Sequence, residues 1–408
     1  MVLTKQKRQI VTLYTSTLLG VLLGMLSSIV NTRFLKPADY GDVRYVQNII
    51  YFISAFLLFG YFLSGSRMMA LSDNTYYHRR IKGTMVIILA CACAILMLSM
   101  PVCYFLNSSK PTVATLFLVS LPVCVYPLFQ NYVNQTMEGD NQMGRLALAR
   151  LLPFLIYVPL AYVVYSTFGA TSTKMILLQW GVYTLVFLAL IVSTRPLFKS
   201  LRPIWQSLQS ENRQYGIQLY IGSLVMVATN YLAGISLGYF NDDNSEVGFY
   251  TLALTVTTPL AYLPTIVGST YFKKFASQPC IPKKVIWSTV VLTACTCVLF
   301  LLIIHPVVGF LYPERYAIVG TYASFLSVGY CIHGLGDMFN RYLCSQGQGV
   351  SVRNASIANG VFKIVGFTLL VALFNTNGAI ATTIICDIIY FLCLIYYYLT
   401  FTKGNRHG

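Results

Sequence analysis

The sequence contains very few charged residues. Asp, Glu, Lys and Arg make up only 10% of its 408 residues, whereas 56% are hydrophobic. Soluble domains carry about 25% charged residues, so this composition excludes an ordinary soluble domain and indicates a chain with many membrane spans. Alternating strand-type patterns are absent, and the spans are therefore predicted to be helices rather than barrel strands.

Catalytic and metal-binding motifs are also missing. The sequence has no GxxxxGK[ST], HExxH or GxSxG motif, and its 11 cysteines show no metal-ligand spacing. The longest polar connection, 195–216, is predicted to be cytoplasmic, and the outer connections are shorter. This leaves no room for an outer catalytic domain, so we expect a protein that is not an enzyme and holds no metal or cofactor.

Long apolar runs, by contrast, are abundant. A helix needs roughly 20 mostly apolar residues to cross a hydrocarbon core of ~30 Å. The sequence predicts an all-α membrane protein with twelve spans at about 11–32, 43–66, 84–106, 112–136, 148–167, 174–193, 214–240, 248–270, 285–305, 316–339, 355–374 and 378–401.

Acidic residues are scarce, and the net charge is +16. If the N-terminus is cytoplasmic, the inner segments hold 21 of the 28 Lys and Arg residues, the outer segments hold 6, and Lys363 lies within a span. This distribution follows the positive-inside rule. We therefore expect both termini in the cytoplasm, and the positive charge requires no nucleic-acid partner.

Three sequence landmarks recur at a nearly constant spacing. They are Asp39–Gly41 with Glu246–Gly248, Gly139 with Gly347, and Gly169–Ala170 with Gly378–Ala379, at offsets of 207, 208 and 209 residues. The recurrence indicates two similar six-helix lobes, 1–208 and 209–408. Because six is even, the lobes enter the membrane in the same direction and are related by a pseudo-twofold axis along its normal. Transporters of this plan bind substrate between their lobes.

Two charged residues fall well inside predicted spans, Lys363 in the eleventh and Asp387 in the twelfth. A charge at a helix centre costs roughly 2.5–3.5 kcal/mol on insertion scales. The two residues are expected either to form a structural ion pair or to serve transport. In the second case Lys363 faces a cavity that holds an anion, and Asp387 tunes it or carries a coupling proton.

Four arginines lie near span ends. Arg33 and Arg44 flank the PADYG segment, which is expected to form a tight outer turn. They either pair with the acids of that turn or stand at the outer mouth of a cleft between the lobes. Arg67 and Arg150 either anchor the cytoplasmic ends of their helices or stand at its inner mouth.

Polar side chains within the spans supply further candidates. His333, Asp337 and Arg341 are four residues apart on one face of the tenth span. They either stabilise the helix or relay protons. Gln130, Asn131 and Asn134, in the inner half of the fourth span, either bind sugar hydroxyls or bridge helices.

Taken together, Leu35–Gly41, Glu246–Tyr250 and the twelve-span duplication carry a resemblance to a known family. The chain resembles the polysaccharide or O-antigen flippases of the multidrug/oligosaccharidyl-lipid/polysaccharide (MOP) exporter superfamily over essentially its full length. It departs from them in the seventh span, where Asn230 stands in place of a frequent acid. That difference argues against acid-based ion coupling at this position.

The resemblance implies a flippase that moves an undecaprenyl-diphosphate-linked oligosaccharide from the inner to the outer leaflet of a bacterial plasma membrane. The implied partners are this lipid, membrane lipids and polysaccharide polymerase machinery, and coupling to Na⁺ or H⁺ is possible without a cofactor. The substrate-binding candidates are Lys363, Arg44, Arg33, Arg67, Arg150, Asn134 and Asn230, and the ion-coupling candidates are Asp387, Asp337 and His333. The alternatives are an organic-cation exporter of the same superfamily, a membrane glycan polymerase, and a peptidoglycan-precursor flippase, whose relatives usually have fourteen spans.

Overall fold

The computed structural model describes residues 5–407, together with the side chains of residues 15–403 except Gly222, Met226 and Lys273. In this part of the chain the regular structure is entirely helical. Five cations used above to orient the chain have side chains outside the described set: Lys5, Lys7, Arg8, Lys273 and Arg406.

The chain divides into two compact units, unit 1 (Met1–Ala228) and unit 2 (Thr229–Gly408). The helices of unit 1 are α1 Lys5–Phe34, α2 Pro37–Phe56, α3 Tyr61–Ala70, α4 Thr75–Leu106, α5 Pro111–Val119, α6 Tyr126–Gly139, α7 Met143–Phe168, α8 Ser172–Ser193 and α9 Leu201–Glu211. A π-helical turn, Asn212–Gly216, leads into α10, Ile217–Phe240, which crosses the unit boundary. Unit 2 continues with α11 Ser245–Phe275, α12 Lys283–Leu311, α13 Ile318–Ser345 and α14 Gly349–His407.

Nine helical segments of the described chain are long and apolar enough to cross a membrane, and a tenth is added if α2 and α3 form one span. The axes of α2 and α3 differ by 62°, and the break contains Phe59 and Gly60 with φ of 45° and 77°. The predicted fourth span is divided into α5 and α6. The predicted eleventh and twelfth spans lie on either side of a kink in α14 at Asn375, with φ 50° and ψ −129°. The all-α membrane fold is confirmed, whereas the count of twelve stays a prediction.

The PADYG segment is not a turn, contrary to expectation. Pro37 begins α2, Asp39 lies in its first turn and Gly41 is helical and buried. Proline at the first helical position and an acid in the first turn are both favourable at a helix N-terminus. The connection between α1 and α2 therefore consists only of Leu35 and Lys36.

An acid in the first turn of α2, and another in the first turn of α11, make similar contacts within their own units. Ser172, the first residue of α8, donates a hydrogen bond to Asp39 Oδ1 at 3.1 Å. Thr376, which follows the α14 kink, donates to Glu246 Oε2 at 2.5 Å, and Tyr322 donates to the same oxygen at 2.9 Å. Each acid thus fastens the second helix of its half to the start of the last predicted helix.

The π-helical turn and the first residues of α10 pack on the break between α2 and α3. A helix end leaves carbonyl groups without intrahelical partners, and here the Tyr220 hydroxyl donates to the carbonyls of Ala55 and Phe56 at 3.0 Å. Asn212 Nδ2 donates to Phe59 O at 3.0 Å, and its Oδ1 accepts from the Ser64 hydroxyl at 3.0 Å. These contacts lie within unit 1, which ends at Ala228. The division into two six-helix lobes, 1–208 and 209–408, stays a prediction.

Candidate functional site

Unit 2 contains a cavity of about 350 Å³ between α10, α11, α13 and α14. We call it the unit 2 cavity. Its lining residues are Thr229, Asn230, Ala233, Tyr250, Leu254, Thr258, Tyr330, His333, Lys363, Phe367, Thr383 and Asp387. Four predicted site residues, Asn230, His333, Lys363 and Asp387, therefore lie around one space.

Lys363 bonds to a neutral side chain in this cavity. Its Nζ donates to Asn230 Oδ1 at 3.2 Å. Among the described salt bridges none joins Lys363 to Asp387, so the ion pair considered as one alternative is not formed in this conformation. An ammonium has three donors, and the remaining N–H groups of Lys363 are available to a ligand in the cavity.

Asp387 is instead paired with His333, whose Nδ1 lies 3.0 Å from Asp387 Oδ1. The carboxylate is nearly buried, with 5% of its side chain exposed, whereas 31% of the His333 side chain is exposed. A Cβ at Gly329 would lie 3.1 Å from Asp387 Oδ2 and 3.3 Å from Ile384 Cα. Glycine at this position therefore lets α13 approach the carboxylate closely.

Asp337 lies one helical turn from His333 but binds other partners. Thr265 donates to its Oδ2 at 3.1 Å, and Tyr390 donates to its Oδ1 at 3.2 Å. The Tyr390 ring stacks on the His333 ring at 4.9 Å. The expected contacts along one face of α13 are thus replaced by contacts to α11 and α14, and Tyr390 connects the two titratable groups.

Arg44 forms a different kind of site in unit 1. Its Nη1 donates to Gln47 Oε1 at 2.8 Å, and its Cζ lies 4.8 Å from the centre of the Tyr40 ring. Its Nε is buried without a hydrogen-bond partner, and none of the described salt bridges includes it. The described contacts of Arg44 are therefore to an amide and an aromatic ring, and its role at a cleft mouth stays a prediction.

The other predicted arginines are dispersed over unit 1. Arg33 is exposed. Arg67 forms a salt bridge with Glu211 and lies over the Tyr215 ring at 4.4 Å, which fastens α3 to the segment before α10. Arg150 donates to the Thr17 hydroxyl, which links α7 to α1. Their roles at a substrate path stay predictions.

A second cavity, of about 220 Å³, lies at the break between α2 and α3. We call it the break cavity. It is lined by Ala55, Leu58, Gly60, Phe62, Leu63, Asn131, Gln135, Tyr220, Ser223, Leu224 and Val227. Of the predicted carboxamides, Asn131 lines this cavity, whereas Gln130 and Asn134 do not. Gln135 was missed, although its spacing of four from Asn131 places both on one helix face.

The sequence analysis also missed a charged cluster of unit 1. His78 Nδ1 lies 2.7 Å from Asp140 Oδ1, and Lys82 Nζ donates to Asp140 Oδ2 at 2.5 Å. His78 Nε2 faces the Ser72 carbonyl at 2.7 Å. Burial opposes ionisation of Asp140, but hydrogen bonds from Lys82 and His78 outweigh it and hold the pKa of this carboxyl below its usual value. The charges are far apart in sequence, so only the fold brings them together.

Comparisons with known proteins agree with this architecture. The family model described as polysaccharide biosynthesis protein matches residues 7–272. The lipid II flippase MurJ in an inward closed conformation is similar with a TM-score of 0.72 at 12% identity, over 95% of this chain and 87% of that chain. An inward-facing multidrug resistance MATE family transporter of the MOP superfamily gives 0.70 at 15% identity, over 94% and 96%.

A further solved structure is a MOP superfamily transporter from Pyrococcus furiosus, described as having a binding pocket of reversed polarity. It gives a TM-score of 0.60 at 14% identity, over 97% of this chain and 96% of that chain. No curated protein sequence matches the chain. The chain belongs to the polysaccharide biosynthesis family and has the fold of MOP superfamily transporters.

Proposed function

We propose that the protein is a flippase that moves a diphosphate-linked oligosaccharide lipid from the inner to the outer leaflet of a bacterial plasma membrane by alternating access. One observation carries the proposal: Lys363, within an apolar helix, lines a polar cavity and is bonded to an amide rather than to a carboxylate. A cation that is expensive to place in a membrane and lacks a carboxylate partner is suited to an anionic group of the substrate.

The diphosphate is the group that Lys363 recognises. Ammonium groups form strong charge-assisted hydrogen bonds to phosphate oxygens. Hydroxyl and amide groups of Thr229, Thr258, Tyr330 and Asn230 also line the cavity, and they can bond to phosphate or sugar oxygens. The polyprenyl tail needs no protein site because it remains in the hydrocarbon of the bilayer.

The Asp387–His333 pair carries the coupling ion in this scheme, and that ion is a proton. Both residues line the same cavity as Lys363, and a histidine beside a carboxylate can exchange a proton near neutral pH. Sodium prefers several oxygen ligands, whereas Asp387 Oδ1 faces a ring nitrogen and the cavity already contains an ammonium group.

An organic-cation exporter is the second candidate, and Asp387 is the observation that favours it. A cation site needs a buried carboxylate, and Asp387 is buried at the cavity. Its Oδ1 is engaged by His333 and Lys363 lies in the same space, so positive charge there opposes a cationic drug. A diphosphate therefore fits the cavity better than an organic cation does.

The experiment uses the native host with this gene deleted and complemented by wild-type, Lys363→Gln or Lys363→Arg protein. Lipid-linked oligosaccharides are quantified by mass spectrometry and assigned to a leaflet. We expect complete repeat units stranded on the cytoplasmic side in the deletion and in the Lys363→Gln strain, with partial recovery for Lys363→Arg, which keeps the charge.

Two other outcomes contradict the proposal. Complete units that reach the outer leaflet without being polymerised would indicate a polymerase. An unaltered lipid pool, together with greater sensitivity to cationic drugs, would indicate the exporter. Full recovery by well-expressed Lys363→Gln would remove Lys363 from substrate binding.

A further inference from the structure

The break cavity has no part in the proposal above, although its lining is unusual. Residues of the α2–α3 break form one wall, α6 forms a second, and the first half of α10 forms a third. The helix break that opens this space is held by Tyr220 and Asn212 through hydrogen bonds to backbone carbonyls. The cavity is therefore a built feature of unit 1 rather than a gap between loosely packed helices.

Two carboxamides of α6 line this cavity without hydrogen-bond partners. Asn131 and Gln135 are both half-buried, and the structure gives neither side chain a partner among the described residues. Each carboxamide has two N–H donors and one carbonyl acceptor. Both carboxamides open onto the cavity, so this pair is suited to a ligand that both donates and accepts hydrogen bonds.

The rest of the lining excludes several kinds of ligand. No charged side chain is among the lining residues in the described part of the chain, so a phosphate or an ammonium group would have no counterion. A hydrocarbon chain would leave both carboxamides without hydrogen-bond partners. Phe62, Leu63 and Leu224 supply apolar surface, which a fully polar ligand would not use.

A sugar ring satisfies both requirements, because its hydroxyl or acetamido groups bond to carboxamides and its C–H faces pack on aromatic and aliphatic side chains. We propose that the break cavity binds one neutral pyranose ring of the transported oligosaccharide, with Asn131 and Gln135 as its hydrogen-bonding residues. This inference rests on the proposed flippase function. The volume of about 220 Å³ is below the range of roughly 300–1,000 Å³ for drug-sized ligands, which fits one ring and excludes a whole repeat unit.

Saturation-transfer NMR on the purified full-length protein tests the site without requiring transport. The probes are N-acetyl-D-glucosamine and D-glucose at about 10 mM, a concentration suited to millimolar dissociation constants. The detergent is lauryldimethylamine oxide, because a maltoside detergent would itself supply sugar rings. We expect transfer to ring protons of at least one probe with wild-type protein and a loss of at least roughly fivefold with Asn131→Leu/Gln135→Met.

Gln130→Met is the matched control, since Gln130 lies on the same helix and does not line the cavity, and it should retain the wild-type signal. If the double variant does not fold, Gln135→Met alone replaces it, with an expected loss of at least twofold. Absence of transfer to both probes with wild-type protein, or an unchanged signal in the carboxamide variants, overturns the inference. Because the assay contains no lipid-linked substrate, sugar binding is scored even if the leaflet experiment excludes flipping.

Discussion

The two units are alike at one end of their second helices and different in their interiors. In both, an acid in the first turn of that helix accepts a hydroxyl hydrogen bond from the start of the last predicted helix, through Asp39 and Glu246. In the interior, unit 1 holds Arg44 with amide and tyrosine neighbours, whereas unit 2 holds Lys363, His333 and Asp387 around a cavity. The shared contact joins the same pair of predicted helices in each unit. The units differ in the charged side chains of their interiors.

The charged cluster of unit 1, formed by Asp140, Lys82 and His78, is a second difference between the units. Asp140 binds the Lys82 ammonium and the His78 ring, and none of the three residues lines either cavity. In unit 2 the buried acid binds one histidine at the cavity itself. In unit 1 the paired acid, Asp140, and the arginine, Arg44, therefore belong to different sites. In unit 2 the acid, Asp387, and the cation, Lys363, line the same cavity.

The largest expected effect comes from Asp387→Asn. If Asp387 carries the coupling proton, translocation in proteoliposomes driven by a pH gradient should fall to background, because an amide cannot release a proton. Gly329→Ala should reduce translocation by about tenfold, since the new methyl group presses on the carboxylate and tenfold corresponds to about 1.4 kcal/mol. Asp39→Asn in unit 1 is the matched control. Wild-type rates with Asp387→Asn would show that the difference between the interiors has no role in coupling.

Asp140→Asn should lower the free energy of unfolding by about 3 kcal/mol at pH 7, because it leaves the nearly buried Lys82 ammonium without its counterion. The Asp140 pKa lies below its usual value of 3.8. The stabilisation is therefore fully present above about pH 3.8 and is lost as the pH falls through the lowered pKa. Thermal unfolding is followed by far-ultraviolet circular dichroism, since the regular structure of the described chain is helical and the signal can be recorded at every pH. A difference between variant and wild type that persists undiminished at the lowest pH would contradict this assignment.

Arg44→Met should raise the free energy of unfolding by about 1–2 kcal/mol, because it removes a guanidinium whose Nε is buried and unpartnered. Arg44→Lys keeps the charge and serves as the control, with no such gain. Circular dichroism at pH 7 measures the thermal unfolding of both variants. A clear loss of stability in Arg44→Met would mean that the contacts to Gln47 and Tyr40 outweigh the cost of burying the charge. Arg44 would then stabilise the fold of unit 1.

The smallest effects test the feature that the units share. Asp39→Asn should cost about 1 kcal/mol, and Glu246→Gln should cost about 2 kcal/mol, because Asp39 accepts one hydroxyl and Glu246 accepts two. The ratio matters more than either value. Equal effects, or none, would show that the stabilisation does not follow the number of hydroxyl groups that each acid accepts.

Sequence analysis predicted the all-helical membrane fold because hydropathy depends on composition over about 20 residues, which neighbouring contacts do not alter. It also identified Lys363 and Asp387, since a charge within an apolar run is visible without a structure. It misjudged PADYG, where proline and glycine suggested a turn although proline at the first helical position begins α2. The helix break at Phe59–Gly60 was not expected, because the carbonyls that it exposes are satisfied by Asn212 and Tyr220 from a distant segment.

The sequence by itself determined that this protein is a helical membrane protein with cations and acids inside its apolar segments. Local hydropathy and the cost of burying charge are sufficient for that conclusion. The tertiary structure decided which groups meet: Lys363 with Asn230, Asp387 with His333, and Asp140 with Lys82 and His78. The paired residues are separated in sequence by 54 and 133 positions in unit 2 and by about 60 positions in unit 1. They depend on how helices pack, which no local pattern encodes.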